Sequence, residues 1–192
     1  MERGERAERL RRTVALVGMP GAGKTSVGMA LARLLAAPFL DTDREIEAAA
    51  GRTIAEIFAE QGETFFRDRE TRVLRRLLGG PPAILSTGGG LWLQPDNRAL
   101  IARHGVSVWL DADLDLLWER VRRKDTRPLL RTGDPRATLA RLHEERVPLY
   151  RMADIRVKAA PGLTVDEMAR RVRDALRAHA DHDRTPVLET AP

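Results

Sequence analysis

Apolar residues along this chain alternate between two patterns. Short uninterrupted runs at Thr13–Val17, Pro38–Leu40, Ala83–Ser86, Ser107–Leu110 and Ile155–Val157 have the length of buried strands. Between them, apolar positions recur every three or four residues, the repeat of a helix with one buried face. Val27, Ala30, Leu31, Leu34 and Leu35 mark such a face over a helix from Lys24 to about Ala36. Thr53-Ile54-Ala55-Glu56 predicts a capping box that opens a short helix with Ile54, Ile57 and Phe58 apolar and Gly62 as its stop. A longer helix follows over about Arg67–Leu78 and ends at Gly79-Gly80-Pro81-Pro82. Asp113 caps another that runs to about Arg123. Thr164-Val165-Asp166-Glu167 is a second capping box, leading a helix with Val165, Met168, Ala169, Val172, Ala175 and Leu176 on one side. Strands alternating with helices predict an α/β fold with a parallel sheet.

Two kinds of segment stand outside this alternation. Lys124 to about Arg136 is polar and rich in Arg, Gly, Pro and Asp, and is expected to be a mobile loop over the site. Residues 1–12 read as a charged extension and 181–192 as a disordered tail, which leaves 13–180 as a single domain.

The chemistry begins where the first run ends. Gly18-Met19-Pro20-Gly21-Ala22-Gly23-Lys24-Thr25 sits between a strand and a helix. Glycines there let successive N–H groups turn inward around an anion, and the helix that starts at Lys24 adds its positive dipole end. Lys24 then reaches the β/γ-phosphates of a bound ATP or GTP, and Thr25 offers a hydroxyl oxygen to Mg²⁺. In open α/β sheets ligands sit beyond the carboxyl ends of the strands, so the residues that follow the other runs matter next. Asp41-Thr42-Asp43 places two carboxylates on the same side if the chain stays extended, one for the metal shell and one for a substrate hydroxyl. The competing reading is an Asp helix cap before Arg44-Glu45-Ile46. Ser86-Thr87-Gly88-Gly89-Gly90 ends the third run and allows a ligand to press on the backbone.

Composition prunes the remaining classes. A chain of 192 residues with 43% hydrophobic content can bury one sizeable core without a disulfide or structural metal. The absence of cysteine excludes thiol catalysis and thiolate metal sites, and the four histidines have no ligand spacing. No metal beyond Mg²⁺ is implied. The net charge of +5 is spread over 33 basic and 28 acidic residues, and aromatics make up only 4%, so no nucleic-acid partner is expected. No run is long enough to span a membrane, so no membrane partner is expected either and a cytoplasmic location fits. No apolar surface stripe asks for a dimer, and monomer is the default expectation.

Taken in order, the phosphate loop, Asp41-Thr42-Asp43, Phe66-Arg67, Gly88-Gly89-Gly90, Arg127-Pro128-Leu129-Leu130 and Arg146-Val147-Pro148-Leu149-Tyr150 make a set that resembles shikimate kinase. The similarity runs from about Thr13 to Val157. It implies a three-layer α/β/α P-loop kinase fold, with a five-stranded parallel sheet of order 2-3-1-4-5. A substrate-binding insert over about 41–70 and a lid over about 124–136 belong to the same pattern. It also implies transfer of phosphate from ATP to the 3-hydroxyl of shikimate, with Mg²⁺, in aromatic amino-acid biosynthesis. By the same resemblance Gly21, Ala22, Gly23, Lys24, Thr25 and Ser26 surround the nucleotide phosphates, and Thr25 and Asp41 serve the metal. Asp43 holds the shikimate hydroxyls and receives or orients the proton of the attacking one. Arg67 and Arg146 take the carboxylate, for which guanidinium forks are suited. Gly88, Gly89 and Gly90 offer backbone to shikimate, and Arg120 lies near the adenine. Arg127 swings in with the lid, and Lys24, Asp43 and Arg127 form the catalytic set. A gluconate kinase would share the loop but gives no reason for two carboxylate-binding arginines. A nucleotide-switched nucleic-acid module would call for a basic and aromatic groove.

Overall fold

Thr13–Val17 (β2) is buried at all five positions, so it lies in the middle of the sheet, as an unbroken Val/Leu run requires. The computed structural model describes residues 8–122, 133–180 and 186–190. Within them the chain runs β1 (Glu8–Leu10), β2, α1 (Lys24–Leu34), β3 (Phe39–Asp41), α2 (Thr42–Ala50), α3 (Ile54–Leu78) and β4 (Ile84–Ser86). It continues through α4 (Pro95–His104), β5 (Gly105–Asp111), α5 (Leu114–Val121), α6 (Pro135–Tyr150), β6 (Ile155–Lys158), α7 (Val165–Ala180) and β7 (Leu188–Thr190). A 3-10 turn, Leu91–Leu93, precedes α4.

β2 pairs in parallel with β4 on one side, Val14 opposite Ile84, and with β5 on the other, Ala15 opposite Ser107. β3 and β6 complete the sheet in the order β3-β4-β2-β5-β6. Numbering only these five strands along the chain gives the expected 2-3-1-4-5. α1 packs along α7, α3 against α4, and the helices flank the sheet in a three-layer α/β/α arrangement. Reversal of strand order around β2 opens a crevice at the carboxyl ends of β2, β3 and β4, where the phosphate loop, Asp41 and Gly88 emerge.

Several boundaries differ from the pattern in the sequence. β5 starts two residues earlier than expected because Gly105 pairs with Thr13, where a Cβ would come within 2.6 Å of the Thr13 carbonyl oxygen. α4 and α6 were not legible as helices, since neither carries a clear apolar stripe. Each nonetheless opens on a proline in its first turn, where the missing N–H is harmless. The helix over 54–78 bends at Gly62, whose φ of 77° breaks it where a stop was expected. Its second half then starts directly after Gly62, ahead of Arg67.

The termini require a correction. β1 and β7 form an antiparallel pair, with Glu8 opposite Thr190. Arg11 N–H donates to the Val187 carbonyl at 2.9 Å, Arg11 pairs with Glu189, and Glu8 pairs with Arg177 of α7 at 2.6 Å. Val187 is fully buried. The disorder expected over 181–192 and the loose extension expected over 1–12 therefore fail at 186–190 and 8–12. Three-residue strands that pair across the whole chain leave no local periodicity to read. No described helix is long and apolar enough to cross a membrane.

Candidate active site

The phosphate loop adopts a conformation that only its glycines permit cheaply. Gly18, Gly21 and Gly23 have φ of 141°, 91° and 98°, and a Cβ on Gly21 would lie 2.6 Å from Val121 Cγ1. Gly23 caps α1, so the first helical N–H groups face the loop. Lys24 Nζ donates to the carbonyls of Gly18 at 2.8 Å and Met19 at 3.2 Å, which holds the ammonium over the loop. Arg120, on α5, donates to the Ala22 carbonyl at 3.2 Å, and burial holds its guanidinium below the usual value. It stands at the loop and on the cleft wall with Glu119. Ser26 lines the same cleft.

Beside the loop lies a cluster of hard oxygen donors. Thr25 Oγ1 donates to Asp41 Oδ2 at 3.1 Å and is 3.2 Å from Ser86 Oγ. Two hydroxyls and one carboxylate suit Mg²⁺, which prefers a few protein oxygens completed by phosphate and water. Among the described residues no cluster of three or more His, Cys, Asp or Glu side chains forms a closed protein cage. The donor set therefore fits the expected ion, and Ser86 joins Thr25 and Asp41 as a residue the sequence did not single out.

Asp41 also caps α2: its Oδ1 accepts from Asp43 N–H at 3.1 Å. The helix-cap reading of this residue holds on Oδ1, and Oδ2 is left facing the Thr25 hydroxyl. The extended-chain argument for Asp43 does not. Helix α2 starts at Thr42, so Asp43 reaches the cleft from the first helical turn. Burial pushes its carboxyl above the ordinary value, and Asp41 adds to this while Lys24 opposes it.

Arg67 lies across the glycine turn, since a Cβ on Gly90 would come 2.5 Å from its Nη1. Nη1 donates to Glu70 Oε2 at 2.9 Å and Nη2 to Glu63 Oε1 at 3.2 Å. Glu70 is only 1% exposed, and burial pushes its carboxyl up despite the arginine. Sequence reasoning missed it, although its place three residues after Arg67 on a helix was a readable signal. Arg146 Nη1 donates to the Gly89 carbonyl at 3.4 Å. Asp43, Arg67, Arg146, Gly88, Gly89 and Gly90 thus line one cleft with Gly21–Ser26, of about 1530 Å³. Ala159, Leu163 and Met168, apolar residues past Val157 to which no role was attached, also line it. Arg127 lies outside the described residues. Of the segment expected to form a lid, Asp134 caps α6 and Arg136 pairs with Asp115 at 3.0 Å, while 124–132 lie outside the described residues.

Gly88 gives a direct check of this geometry. A Cβ there would lie 2.4 Å from Asp43 Oδ1, while its amide donates to Thr42 Oγ1 at 2.8 Å. Gly88→Ala therefore displaces the carboxylate and, on the role expected of Asp43, lowers kcat by about tenfold or more. The fold survives, since the backbone at Gly88 needs no positive φ. Steady-state kinetics beside thermal unfolding measures both; an unchanged kcat contradicts the placement of Asp43.

Comparison with known proteins adds an independent line. The family model for shikimate kinase matches residues 20–177. The shikimate kinase of Cereibacter sphaeroides is 60% identical over 182 residues, covering 95% of this chain and 88% of that protein. That of Ruegeria pomeroyi is 59% identical, covering 91% and 90%. Among solved structures, shikimate kinase from Acinetobacter baumannii in complex with shikimate superposes with a TM-score of 0.81 at 38% identity, covering 91% of this chain and 96% of that one.

Proposed function

The chain belongs to the shikimate kinase family, and on that premise we infer how its cleft transfers phosphate from ATP to the 3-hydroxyl of shikimate, giving shikimate 3-phosphate and ADP. The reaction belongs to the shikimate pathway of aromatic amino-acid biosynthesis. The observation that supports the residue roles is convergence: Asp43, Arg67, Arg146 and the Gly88–Gly90 turn line a single cleft with the phosphate loop Gly21–Ser26.

Phosphoryl transfer asks for in-line positioning and for positive charge around the moving group, with little covalent work by the protein. The loop amides from Gly21 to Ser26 hold the nucleotide phosphates, and Lys24 exchanges its loop carbonyls for phosphate oxygens. Thr25 and Asp41 would hold Mg²⁺, which when bound would neutralise charge on the phosphates. Asp43 accepts or orients the proton of the 3-hydroxyl, and its raised proton affinity suits that task. Arg67 and Arg146 grip the shikimate carboxylate, with Glu70 fixing the Arg67 fork. Arg120 borders the nucleotide end, and Arg127 completes the charge from the lid. The enzyme acts as a monomer in the cytoplasm.

A coupled assay of ADP release tests this reading. Release is expected with ATP, Mg²⁺ and shikimate, and falls to background without shikimate or with gluconate in its place. Equal release in all three mixtures overturns it.

A further inference from the structure

The carbonyl of Gly89 accepts from two side chains of the same helix. Arg146 Nη1 donates at 3.4 Å and the Tyr150 hydroxyl at 3.2 Å, from positions one turn apart on α6. Both bonds exceed the usual length, as expected when two donors crowd one oxygen. The two donors differ in every other respect. Arg146 lines the cleft on a long, rotatable stem, whereas the Tyr150 ring is 1% exposed and stacks on Trp109 with centroids 6.2 Å apart. The end of α6 is tied to the glycine turn again by Trp92 Nε1, which donates to the Leu149 carbonyl at 2.8 Å. Tyr150 is therefore packed in place, whereas Arg146 borders the open cleft.

Resting on the reading of this cleft as a shikimate site, we propose that Tyr150 is a positioning residue that frees Arg146 for the substrate carboxylate. Without ligand, both donors satisfy Gly89. When a carboxylate arrives, Arg146 leaves the carbonyl, and Tyr150 keeps it bonded so that the departure strands no acceptor. With phenylalanine at this position, Arg146 is the remaining side-chain donor to this carbonyl among the described residues, and substrate must pull it from an acceptor that then loses that last side-chain partner. The cost appears in the binding of shikimate and in no other step. It also vanishes where Arg146 is absent, because the carbonyl is then equally unpartnered before and after binding.

Tyr150→Phe keeps the ring against Trp109 and deletes one oxygen, so thermal unfolding confirms the fold before kinetics are read. The expected result is a shikimate KM raised roughly three- to tenfold, the value of one hydrogen bond, with kcat and the nucleotide KM within twofold of the parent. In an Arg146→Ala background the same change shifts KM by less than twofold. An unchanged KM overturns the proposal. So does an equal shift in both backgrounds, or a fall in kcat that parallels KM, since either marks a merely structural tyrosine. If the parent enzyme fails to phosphorylate shikimate at all, the function assigned to the cleft is wrong and this inference falls with it.

Discussion

Asp43→Asn is expected to lower kcat by about 10²- to 10⁴-fold and to leave nucleotide affinity intact, because the change removes the group proposed to accept or orient the hydroxyl proton but no proposed phosphate contact. The same variant unfolds at a higher temperature at neutral pH. The sign follows from the raised carboxyl of Asp43, which burial and Asp41 hold above its unfolded value. Between those two values the folded state binds more protons than the unfolded one, so stability falls as pH rises through that window. At neutral pH the charge is therefore a destabilising one, and asparagine relieves it. Stopped-assay turnover, nucleotide titration and thermal melts measure the three quantities. Normal turnover contradicts the role given to Asp43, and a lowered melting temperature contradicts the electrostatics.

Arg67→Ala raises the KM for shikimate by about 10²-fold, the scale of truncating one side of a partly buried, hydrogen-bonded charge pair. Nucleotide KM stays near the parent value. Stability also drops, by about 1–3 kcal/mol, because Glu70 loses its 2.9 Å partner while remaining buried. Arg67→Ala combined with Glu70→Gln separates the two effects: the melting temperature recovers and the shikimate KM does not. Recovery of both places Arg67 outside the carboxylate clamp and leaves it a purely structural ion pair.

The parts of this site that were legible beforehand share one property, that their chemistry is contiguous in the chain. The phosphate loop is a continuous eight-residue turn whose glycines, lysine and threonine act through spacing alone. The Thr53 and Thr164 capping boxes are equally local, and both form as read. Asp41 shows the limit of such reading. Sequence set a helix cap against a metal-shell role for it, yet its two oxygens point to different partners, Oδ1 to the helix and Oδ2 to the Thr25 hydroxyl, so the cap does not use up the side chain. Asp43 reached the expected place for an unexpected reason, from a helical turn in place of an extended strand end.

What escaped the sequence consists of partners distant along the chain. Ser86 meets Thr25 because β4 lies beside β2, and Tyr150 meets Gly89 because the end of α6 closes on the glycine turn. The terminal ribbon joins residues some 180 positions apart. Burial likewise belongs to the fold: Glu70 looks like an ordinary helix-surface carboxylate until Arg67 and the turn at Gly88 come against it. By itself, then, the amino-acid order determined the α/β class and the phosphate loop, since backbone preference and hydrophobic period act between near neighbours. Only the tertiary structure decided which distant side chains share an acceptor, which charges lose water and therefore which protons are held. Those are properties of proximity and desolvation, and neither exists before the chain has packed.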